Sequence, residues 1–235
     1  SERDYLPAME VLADFIRQTG MEQPGEGTPA VTGRPRRETA AAVSVIARRT
    51  TDQMDLQVRQ TIACIDLSGV NLTGLTLSEG ATFDAVCLND ADLSGSVLPG
   101  ATFTGSDLAG ARFWSSRLEG AEFVDTEMRG IDLEASDLTG AGFVNVVLSE
   151  ANLQGANLVE TSMQNSQLLG ATLAGARLFG ATFPNSDLTA VDLTGALFTG
   201  SDLSTALGVS AEQLDLAELD SATLLPNGVP ATPDF

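Results

Sequence analysis

The sequence predicts an all-β solenoid of about seven square coils, 20 residues per coil, with short α-helical segments at both ends. Three observations carry the prediction. Leu, Phe or Met occupies every fifth position from Leu67 to Leu77 and again from Phe83 to Leu203, in all 28 blocks. The stretch "GATF" at 80–83 returns at 100–103 and 180–183, as "GAEF" at 120–123 and as "GAGF" at 140–143. Gly dominates the position two places after each central residue, where a turning chain needs permissive dihedrals.

Period five suits neither regular element. Five residues advance an α-helix by about 500°, which would smear the leucines around its circumference. On one continuous strand an odd step would send them to alternating faces. The chain must therefore turn once per block. Within a block the central residue, i, and residue i−2 point the same way if that piece is extended. Position i−2 is Ala twelve times and Ser seven times in the 25 blocks from Phe83 on, so one large and one small side chain face inward. Four turns of about 90° close a square.

Phe83, Phe103, Phe123, Phe143 and Phe183 then lie one coil apart in a single column, continued by Met163 and Leu203. A ladder of this kind fills the core and sets the register between coils. At i+2 of the same column, Asn145, Asn165 and Asn185 form a second ladder, expected to hydrogen-bond through its amides. Leu77 to Phe83 spans six residues, which places a bulged corner near Glu79-Gly80. At about 4.8 Å per coil, seven coils make a rod roughly 34 Å long.

Blocks of the type A(D/N)LxG resemble the pentapeptide-repeat family over residues 62–206. The resemblance implies a right-handed quadrilateral β-helix. It divides the chain into a helical N-terminal segment at 1–61, the repeat β-helix at 62–206, and a C-terminal helical cap and tail at 207–235.

A solenoid needs caps, because each end exposes unpaired backbone. At the C-terminal end Ser210 and Gln213 form a capping box, and Leu214, Ala217 and Leu219 supply the apolar side of a helix over 210–219. In some members of the family this end carries a homodimer contact. At the N-terminal end Tyr5, Met9, Leu12 and Ile16 share one helical face, with Pro7 in the first turn. A Pro/Gly-rich linker over about 20–37 leads to a second helix, "RETAAAVSVIARR". This pair is similar to a segment preceding the repeats in bacterial members, many of which carry hydrophobic helices further upstream. The resemblance implies a cytoplasmic domain of a membrane-anchored parent. The opening at Ser1, without a methionine, fits a fragment of a longer chain.

Composition argues against chemistry. The chain holds no His and no Lys, which removes the commonest general bases and Schiff-base formers. Asp66, Asp92, Asp107, Asp132, Asp137, Asp187, Asp192 and Asp202 all occupy i−1, an outward polar position, so they do not read as catalytic pairs. The nine-residue pattern of calcium-binding solenoids is absent. No catalytic residue, cofactor or metal site is expected. Cys64 and Cys87 are expected to be free thiols in a reducing, cytoplasmic compartment. Trp114, at i+1, is expected outside the core. No run of 18 apolar residues exists, so the sequence holds no membrane span.

Charge is the more informative signal. The chain carries 32 acidic and 12 basic residues, net −20, and 18 acidic against 4 basic lie within 65–205. Such a surface repels nucleic acid and favours basic partners. The side built around Leu88 carries Asp90, Asp107, Glu127, Glu150 and Asp187 against Arg129, whereas the side of Leu98 shows Val97, Pro99, Val159, Phe179 and Leu197. Both sides are candidate protein-contact surfaces. The leading reading is a non-catalytic protein-interaction module. The alternative comes from the resemblance: some pentapeptide-repeat proteins bind DNA gyrase and protect it from quinolones, their acidic rod standing in for the duplex. B-DNA carries roughly 20 charges over 34 Å, and this repeat region carries about two thirds of that.

Overall fold

Backbone hydrogen bonds run from each coil to the next, so neighbours in space are one coil apart in sequence. Leu108 N–H donates to Glu127 O (2.7 Å), and Glu127 N–H donates back to Ser106 O (3.1 Å). The computed structural model describes residues 2–20, 37–47 and 64–229, with side chains described from Ala8 to Thr19 in the first of these. The linker at 21–36 and the side chain of Tyr5 lie outside the described residues.

Each side of a coil contributes one or a few parallel-paired residues. The longest pieces are β1 (Ile65–Asp66), β2 (Val86–Cys87), β3 (Glu122–Val124), β4 (Gly142–Val144) and β5 (Ser162–Gln164). Phe123 pairs with Phe143 and Phe143 with Met163, and parallel bridges repeat at the same step on all four sides, as in Arg117 to Asp137 to Asn157 to Arg177. The central residues from Phe83 to Leu203 are buried, with Ala and Ser of position i−2 beside them. Phe83, Phe103, Phe123 and Phe143 stack at centroid distances of 5.1, 5.0 and 4.9 Å, the spacing of the coils themselves. Phe113 meets Phe103 edge-on at 6.1 Å. Met163, Phe183 and Leu203 continue the column, buried.

Every turn from Phe83 to Phe198 puts its i+2 residue in the left-handed region. Gly accepts that at no steric cost, but the geometry holds even where Glu150 (φ 62°) or Ala190 (φ 56°) occupies the place. Coil-to-coil pairing therefore outweighs the roughly 1 kcal/mol local preference of such residues. Asn tolerates the region best, and Asn145, Asn165 and Asn185 use it to link turns. Asn165 Nδ2 donates to Asn145 Oδ1 (3.3 Å) and Asn185 Nδ2 to Asn165 Oδ1 (3.5 Å), while Asn145 Nδ2 donates to Asp125 Oδ1 (2.9 Å). Asp125 is thus the first rung.

The first coil holds one residue more than the regular coils that follow it. Thr76 pairs with Val97 but Thr82 with Thr102. The extra residue falls between Leu77 and Gly80, whose N–H groups donate to Val97 O and Pro99 O. Leu77 is only partly buried. On this coil sit α1 (Glu2–Gly20) and α2 (Arg37–Ile46). Met9, Ala13 and Ile16 of α1, with Ala42, Val43 and Ile46 of α2, join the solenoid core. Arg17 Nη1 reaches the Asp66 carbonyl (2.8 Å) and carboxylate (2.7 Å), and Thr82 N–H donates to Ala47 O (2.7 Å).

The C-terminal helix is shorter than the pattern suggests. The Ser210–Gln213 capping box starts α3 (Ala211–Leu214), which ends after one turn. The chain then resumes coiling: Glu218 pairs with Leu197 and Leu224 with Asp202. The coil edge offers a backbone hydrogen bond per step, which a longer helix would forgo. Leu214 is buried, and Leu219 and Leu225 pack half-buried on the last layer. Gln213 Nε2 donates to the carbonyls of Leu188 (3.0 Å) and Val191 (2.9 Å), tying the helix to the rod.

The cysteines depart from the sequence expectation of free thiols. Cys64 and Cys87 are joined by a disulfide, Cα to Cα 5.3 Å. Nothing close in sequence pairs either residue, and only the coil return brings them together. Ile65 pairs with Val86 and Asp66 with Cys87, which sets Cys64 beside Cys87. The pair therefore gives no support to a reducing compartment.

Candidate interaction surfaces

Position i−1 explains its own chemistry once the turns are seen. The carboxylate or amide oxygen there accepts the N–H two residues on, closing an Asx turn at the corner. Asp92 accepts from Ser94 (3.0 Å), Asp107 from Ala109 (3.0 Å), Asp132 from Glu134 (3.1 Å) and Asp187 from Thr189 (2.9 Å). Asn71 and Asn152 do the same (3.0 and 3.1 Å). The residue type carries the signal: the short side chains of Asp and Asn suit this bond, and the Thr172 hydroxyl makes it with Ala174 N–H (3.3 Å). The acids of this row are turn builders as well as surface charges.

The Thr194 hydroxyl, and after it the Thr194 N–H, hold the Asp192 carboxyl below its ordinary 3.8. Ser204 does this for Asp202, hydroxyl first. The Ser68 N–H, with Arg17 as a lesser cause, does so for Asp66. A depressed folded pKa contributes stability that is full above the unfolded value and is lost as pH falls through the folded one. Acid weakening from this row is therefore expected below about pH 3.8. Asp192→Asn keeps the acceptor, so at pH 7 its stability should stay within about 0.5 kcal/mol of the parent. Its melts below pH 3.8 should fall less steeply; an unchanged slope would show that the Asp192 turn does not contribute.

The Leu88 side is the acidic one. Asp107 and Glu127 are bridged partners in adjacent coils, so two like charges face each other at coil spacing. Asp90 leans over Gly110, where a Cβ would collide with its carboxylate. Asp90, Glu127 and Glu150 are exposed; Asp107 and Asp187 are partly so. Asp125 at the adjoining corner and Glu122 on the neighbouring Phe123 side are both exposed and extend this surface beyond the residues of the side itself. On the Leu93 side Arg112 pairs with Asp92 (3.1 Å), and on the Leu98 side Arg117 pairs with Glu119 (2.8 Å).

The Leu98 side does not form one apolar patch. Val97 and Leu197 are separated along their ladder by Arg117, Asp137, Asn157 and Arg177. What remains together is Val159, Phe179 and Leu197 near the C-terminal end, with the Arg177 guanidinium 5.4 Å from the Phe179 ring centroid. Trp114 stands on the Leu93 side, 51% exposed and outside the core. Asp84, unremarked in the sequence, is buried and accepts from Thr104 N–H (2.9 Å) and Thr102 Oγ1 (3.1 Å). A groove of 570 Å³ lies between α2 and the bulged corner, lined mainly by small side chains with Glu79 as its one charge. Among the described residues no group of three or more His, Cys, Asp or Glu is arranged to hold a metal ion. Among them, too, no helix is long and apolar enough to cross a membrane.

Stacked square coils with inward Leu and Phe, and outward rows presented in register, define a repeat solenoid whose usable surface is its flanks. The family model for pentapeptide repeats matches it in eight copies, over residues 87–123, 126–165 and 166–204. The chain belongs to the pentapeptide-repeat family, and its fold is the right-handed quadrilateral β-helix.

Among solved structures it is similar to HetL, a pentapeptide-repeat protein involved in heterocyst differentiation regulation from Nostoc sp. strain PCC 7120. The identity is 23%, over 66% of this chain and 84% of that one, with a TM-score of 0.43. It is similar to QnrB1, a plasmid-mediated fluoroquinolone resistance protein, at 24% identity over 66% and 79% of the two chains, TM-score 0.47. A pentapeptide-repeat protein of the Arabidopsis thaliana thylakoid lumen is 35% identical over 38% of this chain and 63% of that one, TM-score 0.38. No individually curated protein matches the chain.

Proposed function

We propose that this protein is a non-catalytic interaction module whose acidic Leu88 side binds a positively charged surface of a partner protein. The observation that carries the reading is the bridged pair Asp107 and Glu127, with Asp90 on the same side, Asp125 at the corner and Glu122 on the neighbouring side. Like charges facing each other across a ladder cost stability, and a cationic partner relieves that cost on binding. A rigid flank also loses little conformational entropy on docking.

The test is a pull-down from lysate with saturation and salt titration, repeated with Asp107→Arg/Glu127→Arg. Saturable capture that weakens with salt, and falls at least about tenfold in the double variant, is expected. Capture that is non-saturable or indifferent to the reversal would overturn the assignment of the surface. Circular dichroism of the variant separates this from loss of fold.

A second reading keeps the acidic side and makes the partner a type II topoisomerase, the rod standing in for a DNA segment. The facing carboxylates of Asp107 and Glu127, one coil apart, favour it, because they repeat negative charge along the rod axis as a duplex does. It expects a salt-sensitive effect on gyrase supercoiling at micromolar protein, lost in the same double variant. No effect at low salt would remove it and leave the first reading standing.

A further inference from the structure

We propose that the Cys64–Cys87 disulfide is a redox-operated clasp that holds the first coil, and with it the helical cap, on the rod. The two residues are the only cysteines of the chain, so the clasp has one closed state and one open state. The bond closes the loop from 64 to 87, which is the first coil itself. Both cysteine residues are partly exposed, within reach of a thiol reductant.

That coil is less regular than the ones that follow it. Its one strand, β1, has two residues, it accommodates the extra residue between Leu77 and Gly80, and Leu77 is only partly buried where the later central residues are fully so. The cap depends on the same segment. Arg17 of α1 takes both its solenoid acceptors from Asp66, two residues beyond Cys64. Freeing the strand at Cys64 therefore releases the coil and one anchor of the helices together.

The chemistry balances with a dithiol as reductant. One of its thiolates attacks a sulfur of the pair, forming a mixed disulfide and expelling the other cysteine as a thiolate, which takes up a proton. The second thiolate of the reductant then displaces the remaining cysteine. Two electrons and two protons pass to Cys64 and Cys87, and the dithiol becomes a disulfide. Opening uncovers the carbonyls of Ala85, Cys87 and Asp92 and the N–H groups of Asp92 and Val97, which the first coil occupies. An uncovered edge of this kind can pair with another extended chain.

Hydrogen exchange with mass spectrometry on the full chain, oxidised and with dithiothreitol, tests the clasp. Thiols are counted by alkylation in each state. Two alkylated cysteines are expected only after reduction. Exchange across 65–77 should then accelerate roughly a hundredfold, the loop-closure effect of a ring of this size, while 103–183 stays unchanged. Cys64→Ser/Cys87→Ser should exchange like the reduced protein with or without dithiothreitol. The proposal is overturned if 65–77 exchanges alike in both states or if the whole rod loosens together. It is equally overturned if the thiols are alkylated without reductant in protein handled in air.

Discussion

Phe123→Asp unfolds the coils around it. The ring is fully buried between Phe103 at 5.0 Å and Phe143 at 4.9 Å. Truncating a packed Phe to Ala already costs about 3–5 kcal/mol, and an unpaired buried charge adds several more. That sum is comparable with the whole stability of an ordinary domain. Because each coil contacts only its neighbours, the damage should centre on 103–143 and spread outward. Denaturant melts and residue-resolved hydrogen exchange measure both. The control is Val124→Asp, one residue on and facing out, which should cost little. Equal melts for the two variants would show that the column does not point inward.

Two serines at the same place in the repeat should respond in opposite directions. At most corners the i−2 N–H of the next block closes the turn onto the central carbonyl, as from Ala91 to Leu88 (3.0 Å), Ser96 to Leu93 (3.1 Å) and Ala101 to Leu98 (3.2 Å). At the Phe corner of the first coils a hydroxyl from the neighbouring coil replaces that bond. Ser106 Oγ accepts from Val86 N–H (3.1 Å) and donates to Phe83 O (2.5 Å), all of it buried. Thr126 donates to Phe103 O in the same way, and Ser186 to Met163 O (2.6 Å). Ser106→Ala therefore strands two buried backbone groups, at about 1–3 kcal/mol each. Ser96 is equally buried, but its Oγ has no hydrogen-bond partner. Ser96→Ala should be neutral or stabilising, by up to about 1 kcal/mol. Thermal melts of the two variants decide it, and equal losses would refute the bridging role of Ser106.

Much of the fold is legible in the amino-acid pattern itself. The five-residue beat locates the inward residues, and the twenty-residue return of Phe names each one's neighbour, because a closed coil makes residues 20 apart adjacent by construction. The Asn ladder follows from the same rule, although its first rung, Asp125, needs the turn geometry. The acids at i−1 read as surface alone when only charge is considered. Their Asx bonds are readable from residue type, since Asp and Asn recur there where Glu and Gln rarely do. The acidic side is legible as a group of charges, but its facing pair, Asp107 and Glu127, is a matter of coil register. The apolar patch expected on the Leu98 side is broken up in the fold, because membership of one side says nothing about distance along it.

The periodic part of this protein is determined by its sequence alone: which residues point inward, how many form a coil, and where the chain turns. Repetition makes every position its own template, so local pattern and tertiary contact are the same information there. At the ends the period fails and packing decides. The Cys64–Cys87 bond, the reach of Arg17 to Asp66, and the return of Glu218 onto Leu197 all join segments whose separation follows no rule of spacing. The same holds inside the rod for Ser106 and Ser96, alike in sequence and position. Only the corner each one meets, closed by its own backbone or left open, determines whether the hydroxyl has a partner.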